Sequence, residues 1–464
     1  MRIGHFGNTA NNAYYNVRLL AEYANLESRL PIRMFGLRHA MSAPAWEAID
    51  FEVPSAAWVA QPDWSSIPGA SSVNAEYSDL GGTDTTGTAT ATAPAGRSLG
   101  ARAMSMAGIV ITPLHGKRWA QPIFDLSYGL ALARRPVHAV SDRRIDVLYG
   151  ADSVFRLRTP RPSRQIVCLE HGTVRWIAEG GREAAVLRRA YRKEVERTTH
   201  LWVTNLDPRT LEIAEDVAPG RWSALPHPFM PDPRVPFPVS MLERQSLLSA
   251  TGSSSLVFLP SSQNWSKHHD KGSIKALSAF VELRRKGLDV GLVAVEWGLQ
   301  LDESKAFLDD AGVGNNVVWK PPMSRFGLQR LMADVDVVWD QFGLDAFGAL
   351  ALRVVEQGTP LVSRGLAPIG EQLIGGPVPW RPATTIDQIV RETIEVLEDM
   401  SRRGRDVVIT ETTSRYRAWL LNHHSPALTA ALQRSVYEKI FEGTFEPGTA
   451  VPDQWAKLLH ERLG

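Results

Sequence analysis

The sequence predicts an α/β protein made of two doubly wound, Rossmann-like domains that face each other across a cleft. Its 464 residues are too many for one ordinary core, because a single domain usually holds roughly 100 to 200 residues. Short apolar runs typical of buried strands alternate with helical patterns on both sides of residues 226–238. That segment is rich in proline, which lacks an N–H donor and fixes φ, so we interpret it as the interdomain linker.

The first domain is predicted to span residues 1–225 and to open with a strand, a glycine turn and a helix. Its predicted strands are residues 3–6, 109–112, 145–148 and 165–169, and its first helix is residues 13–26. Residues 69–100 consist mainly of Ser, Thr, Ala and Gly, with little apolar surface to offset the entropy lost on ordering. We interpret them as a low-complexity insertion.

The second domain is predicted to span residues 239–425 as another parallel sheet with crossover helices. Its predicted strands are residues 256–260, 290–295, 317–320, 335–340 and 360–362, and its helices include residues 274–286, 303–310, 328–333 and 350–357. Residues 426–464 are expected to be helical and could pack back on the first domain. Ligands of such sheets lie beyond the C-terminal ends of the strands.

The composition of the chain argues against several classes of protein. Lysine and arginine total 51 against 50 acidic residues, so the formal net charge of +1 offers no general attraction to nucleic acid. The single Cys168 cannot form an intramolecular disulfide or a cysteine zinc cluster, which fits a reducing cytoplasm. We also expect no signal peptide and no membrane span, because no apolar run approaches about 20 residues.

The most informative segment is residues 345–362, which read as a loop that begins with an acid and a Phe-Gly pair, a helix and a strand. Gly348 would let the backbone approach a ligand closely, and the helix that starts there would aim free N–H groups at a phosphate. The alternative interpretation is a plain crossover helix between core strands. The segment resembles the signature of GT-B glycosyltransferases of family 4, and it implies a donor site that includes the following residues: Asp345, Phe347, Gly348, Ala349, Leu350, Arg353 and Glu356.

In that family the first acid faces the donor sugar, a role the resemblance gives to Asp345. A second acid eight positions later typically holds the ribose hydroxyls, and here Arg353 stands in its place. Arginine cannot accept a hydrogen bond from a hydroxyl. Either Glu356 takes the ribose, or the donor contact differs, or donor binding is lost.

A second block, residues 258–272, is similar to the strand, basic loop and Lys-Gly pair of the same family. The resemblance places Ser262, Lys267 and Gly272 at the donor and makes Lys271 a catalytic cation that neutralises the leaving diphosphate in place of a metal. The family's usual arginine is absent, and Lys267 is the only nearby substitute. A solvated polar loop is the alternative. Adjacent His268 and His269 lack the spacing of a metal site.

Weaker matches complete the predicted site. Pro322 lies in a turn where the family binds the nucleotide base, and Gly7 and Asn8 lie in a loop that resembles the family's glycine loop facing donor phosphates. His171 follows a strand at the acceptor edge and could hydrogen-bond the donor sugar or assist proton transfer. A tight turn for the loop and a structural histidine for His171 are the alternatives.

The resemblance implies a glycosyltransferase that moves a sugar from a nucleotide-sugar donor to a glycan, lipid or small-molecule acceptor, with retention, without a metal and without another cofactor. Basic stretches at residues 156–164 and 188–197 could meet an anionic membrane or a phosphorylated acceptor, although with balanced overall charge a solvated face is the favoured interpretation. Two alternatives remain: a catalytically silent GT-B protein that binds a ligand or partner, and a GT-B nucleotide-sugar epimerase.

Overall fold

A computed structural model describes the chain in several ranges. They are residues 2–6, 12–29, 45–53, 66–70, 72, 144–149, 165–170, 191–192, 195–196, 198–230, 243–265 and 270–446. The described strands form two six-stranded sheets in which every pairing is parallel. The α/β class predicted from the sequence is therefore confirmed.

The first sheet has the strand order β2-β1-β3-β4-β5-β6. Its strands are β1 (Arg2–Phe6), β2 (Glu27–Arg29), β3 (Arg144–Tyr149), β4 (Gln165–Glu170), β5 (His200–Val203) and β6 (Trp222–Ala224). The apolar runs at 145–148 and 165–169 are the central strands β3 and β4, which pair in register from Ile145 with Gln165 to Tyr149 with Leu169. Strands buried on both faces read as continuous apolar runs, which is why the pattern identified them.

The second sheet has the order β12-β11-β10-β7-β8-β9. Its strands are β7 (Ser255–Leu259), β8 (Val290–Val295), β9 (Val317–Lys320), β10 (Val337–Trp339), β11 (Leu361–Ser363) and β12 (Arg381–Pro382). Strands β7 and β10 are neighbours although 80 residues separate Val257 from its partner Val337. The loops that follow these two strands therefore meet at one edge of the sheet.

Helices cover both sheets. They are α1 (Asn12–Ala24), α2 (Ala45–Ala48), α3 (Pro208–Val217), α4 (Arg244–Thr251), α5 (Ser273–Arg285), α6 (Leu301–Asp310), α7 (Arg325–Asp334), α8 (Ala349–Gln357), α9 (Pro368–Leu373), α10 (Ile386–Arg403), α11 (Arg405–His423) and α12 (Pro426–Glu442), with a 3-10 turn at Gly314–Asn316. None of the helices that the structure describes combines the length and apolar composition needed to span a lipid bilayer.

Residues 226–230 and the connection from α11 to α12 both run between the two domains. Residues 226–230 leave the first sheet without helix or strand, while the rest of the predicted linker, the predicted strand 109–112 and nearly all of the insertion 69–100 lie outside the described residues. After α11, helix α12 packs along α1 of the first domain. Buried Gln433 of α12 exchanges hydrogen bonds with Asn16 of α1 at 2.6 and 2.9 Å.

A buried carboxylate fastens α11 to the second sheet. Asp336, just before β10, is 3% exposed and pairs with Arg244 and Arg405, each at 2.9 Å. It also accepts the backbone N–H of Leu256 at 2.8 Å. Because a buried charge is costly unless it is paired and hydrogen-bonded, these contacts keep the start of β10 and β7 in register with α4 and α11.

Three buried histidines make the fold sensitive to acid. Burial lowers the pKa of His5, His200 and His424 from 6.5 to about 3. Between those values the unfolded chain binds protons that the folded chain does not, so stability falls as the pH falls below about 6.5. From pH 6.5 to 5.0 we expect a loss of at most roughly 2 kcal/mol per histidine.

His200 gives this expectation a direct test. Neither of its ring nitrogens has a hydrogen-bond partner among the described residues, and the ring packs edge-to-face on Trp202 and Phe445. His200→Phe should therefore leave the urea midpoint nearly unchanged at pH 7.5 and raise it relative to wild type at pH 5.0. An equal acid-induced loss in both proteins would contradict the assignment.

Candidate functional site

A cavity of about 280 Å³ lies between the two sheets. Its wall includes residues that lie within two positions of the C-terminal ends of strands of both domains: Asn205 after β5, Pro260 and Ser261 after β7, Trp297 after β8, and Asp340 and Gln341 after β10. The C-terminal ends of parallel strands are where doubly wound sheets bind ligands. We therefore take this cavity as the candidate site.

The N-terminus of α8 opens onto the cavity. Gly348, its N-cap, has extended backbone, and a Cβ built there would meet no atom within 4 Å. The first two helical residues, Ala349 and Leu350, also line the cavity, and no side chain caps the helix. Uncapped N–H groups and the positive end of the helix dipole favour an anion at this point.

Lys271 lines the same cavity, and its backbone is tied to the loop after β10. Its carbonyl accepts the N–H of Phe342 at 2.7 Å and of Gly343 at 3.1 Å. Gly272 has φ of 78°, and its N–H donates to the Asp270 carboxylate at 2.6 Å. The loops after β7 and β10 are thus locked together, which holds Lys271 and α8 on one cavity.

Asp340 is a buried carboxylate in this wall that the sequence did not single out. It is 3% exposed, and Ser261 donates a hydrogen bond to it at 3.3 Å. Burial raises its pKa, and the nearby Lys271 cation opposes that rise. Its position directly after an apolar strand is the sequence feature that could have identified Asp340 as a site residue.

Ser262, which the sequence predicted at the donor, is buried and accepts a hydrogen bond from Asn264 at 3.1 Å, but it does not line the cavity.

Asp345, which is predicted to face the donor sugar, is not among the residues that line the cavity. Asp345 forms an ion pair with Arg364, and 39% of its side chain is exposed. Two residues on, Phe347 does line the cavity and packs edge-to-face on Trp380 at 5.3 Å. The Phe-Gly part of the signature thus faces the cavity, whereas its acid faces a neighbouring arginine.

Arg353 connects the two domains. It is 6% exposed and donates to the Tyr15 hydroxyl at 2.8 Å, the Met230 carbonyl at 2.9 Å and the Glu356 carboxylate at 2.9 Å. Its guanidinium also lies over the Phe229 ring, 4.5 Å from the centroid. Burial lowers the pKa of Arg353, but Tyr15 and Glu356 outweigh that effect and raise it.

Glu356 is engaged in the same network. Its side chain is 4% exposed, and it accepts a hydrogen bond from Gln329 at 3.0 Å in addition to the one from Arg353. Unlike Arg353, it is not among the residues that line the cavity. Any ribose contact through Glu356 would require this ion pair to rearrange.

A segment of the first domain crosses to the second domain beside the cavity. We call residues 45–53 the strap. Val53 N–H donates to the Pro322 carbonyl at 2.7 Å, and Ser324 N–H donates to the Phe51 carbonyl at 2.8 Å. Two strap residues, Trp46 and Glu47, line the cavity. The turn at Pro322, which the sequence predicts to bind the nucleotide base, is therefore hydrogen-bonded to a segment of the first domain.

Several predicted residues lie outside the described ranges: Gly7, Asn8, His171 and Lys267. Within the described ranges, no group of three or more His, Cys, Asp or Glu side chains is arranged to hold a metal ion. The sequence missed Tyr15, Glu47 and Arg325, because their place in the wall depends on contacts between residues far apart in the chain.

Solved structures share this architecture. HepE from Anabaena, in complex with UDP and glucose, is 10% identical over 95% of this chain and 100% of that chain, with a TM-score of 0.52. A glycosyltransferase from Rickettsia africae ESF-5 is 9% identical over 95% of this chain and 98% of that chain, with a TM-score of 0.53. Against S. aureus TarM the identity is 12%, the TM-score is 0.46, and the match covers 64% of this chain and only 55% of that chain.

The fold is that of the GT-B glycosyltransferases, with two Rossmann-like domains. No protein-family model matches the chain. No curated protein matches it either. At these identities the similarity establishes the fold, and the activity has to be argued from the cavity.

Proposed function

We propose that this protein is a glycosyltransferase that binds a nucleotide-sugar in the interdomain cavity and transfers its sugar to an acceptor. One observation carries the proposal: Lys271 and the open N-terminus of α8 line one cavity. An ammonium group and a set of uncapped N–H groups together suit a diphosphate. The resemblance of residues 345–362 and 258–272 to family 4 supports the same function.

In the proposed mechanism the diphosphate is the leaving group. As the sugar–phosphate bond breaks, charge develops on the phosphate oxygen, and Lys271 and α8 stabilise it without a metal ion. Asp345 and His171 would orient the sugar, and for Asp345 this requires its ion pair with Arg364 to open. The proposed transfer retains the anomeric configuration of the sugar, and its acceptor is a glycan, a lipid or a small molecule.

Nucleotide binding tests the donor site. UDP is the first probe, because HepE holds UDP in the same fold; GDP, ADP and dTDP complete the panel, each measured by calorimetry with and without Mg²⁺. We expect one of them to bind independently of Mg²⁺, and Lys271→Ala to weaken that binding about tenfold by removing a charged hydrogen bond. Lys286→Ala is the matched control, since its 50% exposed side chain lies at the far end of α5.

Product analysis completes the test. With a nucleotide-sugar of the series that binds, release of the nucleoside diphosphate should require Lys271 and should be accompanied by transfer to an acceptor or by slow hydrolysis. An unchanged nucleotide affinity in Lys271→Ala, or the absence of any nucleotide binding to wild type, would refute the proposed donor site.

A catalytically silent GT-B protein is the second candidate, and the Arg353 contacts favour it. A buried arginine fills the position of the family's ribose-binding acid and joins α8 to the first domain through Tyr15 and Met230. Such a link opposes the domain motion that GT-B catalysis would use. Nucleotide binding without turnover of any nucleotide-sugar would select this candidate.

A further inference from the structure

We infer that Arg325 is the second cationic group of the diphosphate site. Until the ligand binds, the Glu47 carboxylate of the strap pairs with Arg325, and the ligand's phosphate then replaces that carboxylate. This inference rests on the proposed function, since it assigns a residue and a conformational step to the same cavity. It also supplies an arginine that the loop before Lys271 lacks.

Arg325 has the position and the chemistry that this role needs. It is the first residue of α7, is 6% exposed and lines the cavity that Lys271 and Leu350 also line. A guanidinium group presents several N–H donors in one plane and binds phosphate through two of them at once. Beside a cavity that already contains an ammonium group, such a fork is suited to a diphosphate.

Glu47 provides the anion that Arg325 now contacts. One Glu47 carboxylate oxygen lies 3.4 Å from Arg325 Nε, and the Glu47 carbonyl accepts from Arg325 Nη2 at 3.0 Å. The same carboxylate accepts a hydrogen bond from the Tyr15 hydroxyl. Exchanging this carboxylate for a phosphate would keep the buried guanidinium paired, so the large cost of an unpaired buried charge is avoided.

The cavity is small compared with most ligand pockets while the strap is in place. Pockets that enclose drug-sized ligands usually measure roughly 300 to 1,000 Å³, and the present cavity, at about 280 Å³, is below that range. Trp46 and Glu47, together with Tyr15, are part of its first-domain wall. Withdrawal of the strap would both enlarge the cavity and release Arg325.

The strap is held to the second domain mainly by polar contacts, which can be exchanged. Its helix α2 has only four residues, too few to be stable by itself. Besides the Arg325 contacts with Glu47, it is held by backbone hydrogen bonds from Val53 and to Phe51, by hydrogen bonds of the Ser324 hydroxyl with the Phe51 N–H and with Asp50, and by an ion pair between Asp50 and Arg330. The Asp50–Arg330 pair is partly exposed and contributes little.

Calorimetric binding of inorganic pyrophosphate and of UDP separates this role from a purely structural ion pair. Glu47→Gln removes the competing charge and should tighten pyrophosphate binding about threefold or more. Arg325→Gln should weaken it about tenfold. If the pair only fastened the domains together, neither substitution would change pyrophosphate affinity once folding is verified, and that result would overturn the inference.

A reversible crosslink tests the movement itself. Glu52 and Met323 are an antiparallel bridged pair, with Cα atoms expected about 4.5 to 5.5 Å apart, which suits a disulfide. The only native cysteine, Cys168, is buried. Oxidised Glu52→Cys/Met323→Cys protein should bind pyrophosphate about tenfold more weakly than the same protein after reduction, whereas the single variant Glu52→Cys should show no redox dependence.

The outcomes distinguish this inference from the proposed function. If wild type binds a nucleoside diphosphate through Lys271, yet oxidised and reduced crosslink variants bind pyrophosphate equally, the inference alone is refuted. If wild type, Glu47→Gln and the reduced variant bind neither pyrophosphate nor any nucleotide of the panel, the donor site itself is refuted.

Discussion

Arg353→Met is expected to lower the free energy of unfolding by about 3 to 5 kcal/mol, because it removes the guanidinium that pairs with the buried Glu356 carboxylate. The substitution also removes the donors to the Tyr15 hydroxyl and the Met230 carbonyl, which join α8 to the first domain. The loss should be visible as a lower midpoint of urea unfolding at pH 7.5.

Two comparisons isolate the cause of that loss. Arg353→Met/Glu356→Gln removes both charges while keeping a partner for Gln329, so it should recover at least half of the stability lost by the single variant. Arg402→Met removes an arginine that is 76% exposed and pairs with Asp399, and should change stability by only about 0.5 kcal/mol. Equal losses in Arg353→Met and Arg402→Met would contradict the role assigned to Arg353.

The architecture could be predicted from local patterns, because its physical causes are local. Runs such as residues 290–295 are buried on both faces in a parallel sheet, and this burial makes them continuously apolar. Strands alternating with helices then require crossover connections, which produce two doubly wound sheets. Lys271 and the start of α8 are indicated by the resemblance of residues 258–272 and 345–362 to family 4, and both line the cavity.

The parts that could not be predicted depend on long-range contacts. Arg353 bonds to Tyr15 across 338 residues of sequence, and Arg325 meets Glu47 across 278. No periodicity or spacing encodes such a pairing. The sequence identified Arg353 as an unusual residue at a ligand position, but only its hydrogen bonds to Tyr15 and Met230 show that it is a buried interdomain donor.

Asp345 illustrates a different limit. The resemblance assigned it to the donor sugar, and that role stays a prediction, because in the structure its carboxylate pairs with Arg364. Both residues are close in sequence, yet two strand-end loops have to fold before they meet. An ion pair that is partly exposed is weak enough to open when a ligand offers better partners.

Gly272→Ala is expected to lower the free energy of unfolding by about 3 to 4 kcal/mol and to weaken nucleotide binding at least as much as Lys271→Ala does. A Cβ at Gly272 would lie 2.8 Å from the backbone N of Gly343 and 2.9 Å from the Phe342 Cβ, and the backbone there has a left-handed φ of 78°. The loops after β7 and β10 would have to separate, which would break the two hydrogen bonds to the Lys271 carbonyl.

Gly287 provides the matched control for the steric part of this effect. It has nearly the same backbone conformation, with φ of 82°, but an added Cβ would meet no atom within 4 Å. Gly287→Ala should therefore cost only the roughly 1 kcal/mol of a left-handed alanine and leave nucleotide affinity unchanged. Similar losses in the two variants, measured by urea unfolding and calorimetry, would mean that contact between the two loops does not hold Lys271 on the cavity. A large loss confined to Gly272→Ala would instead make the paired loops the element that brings the ammonium group and α8 to one anion.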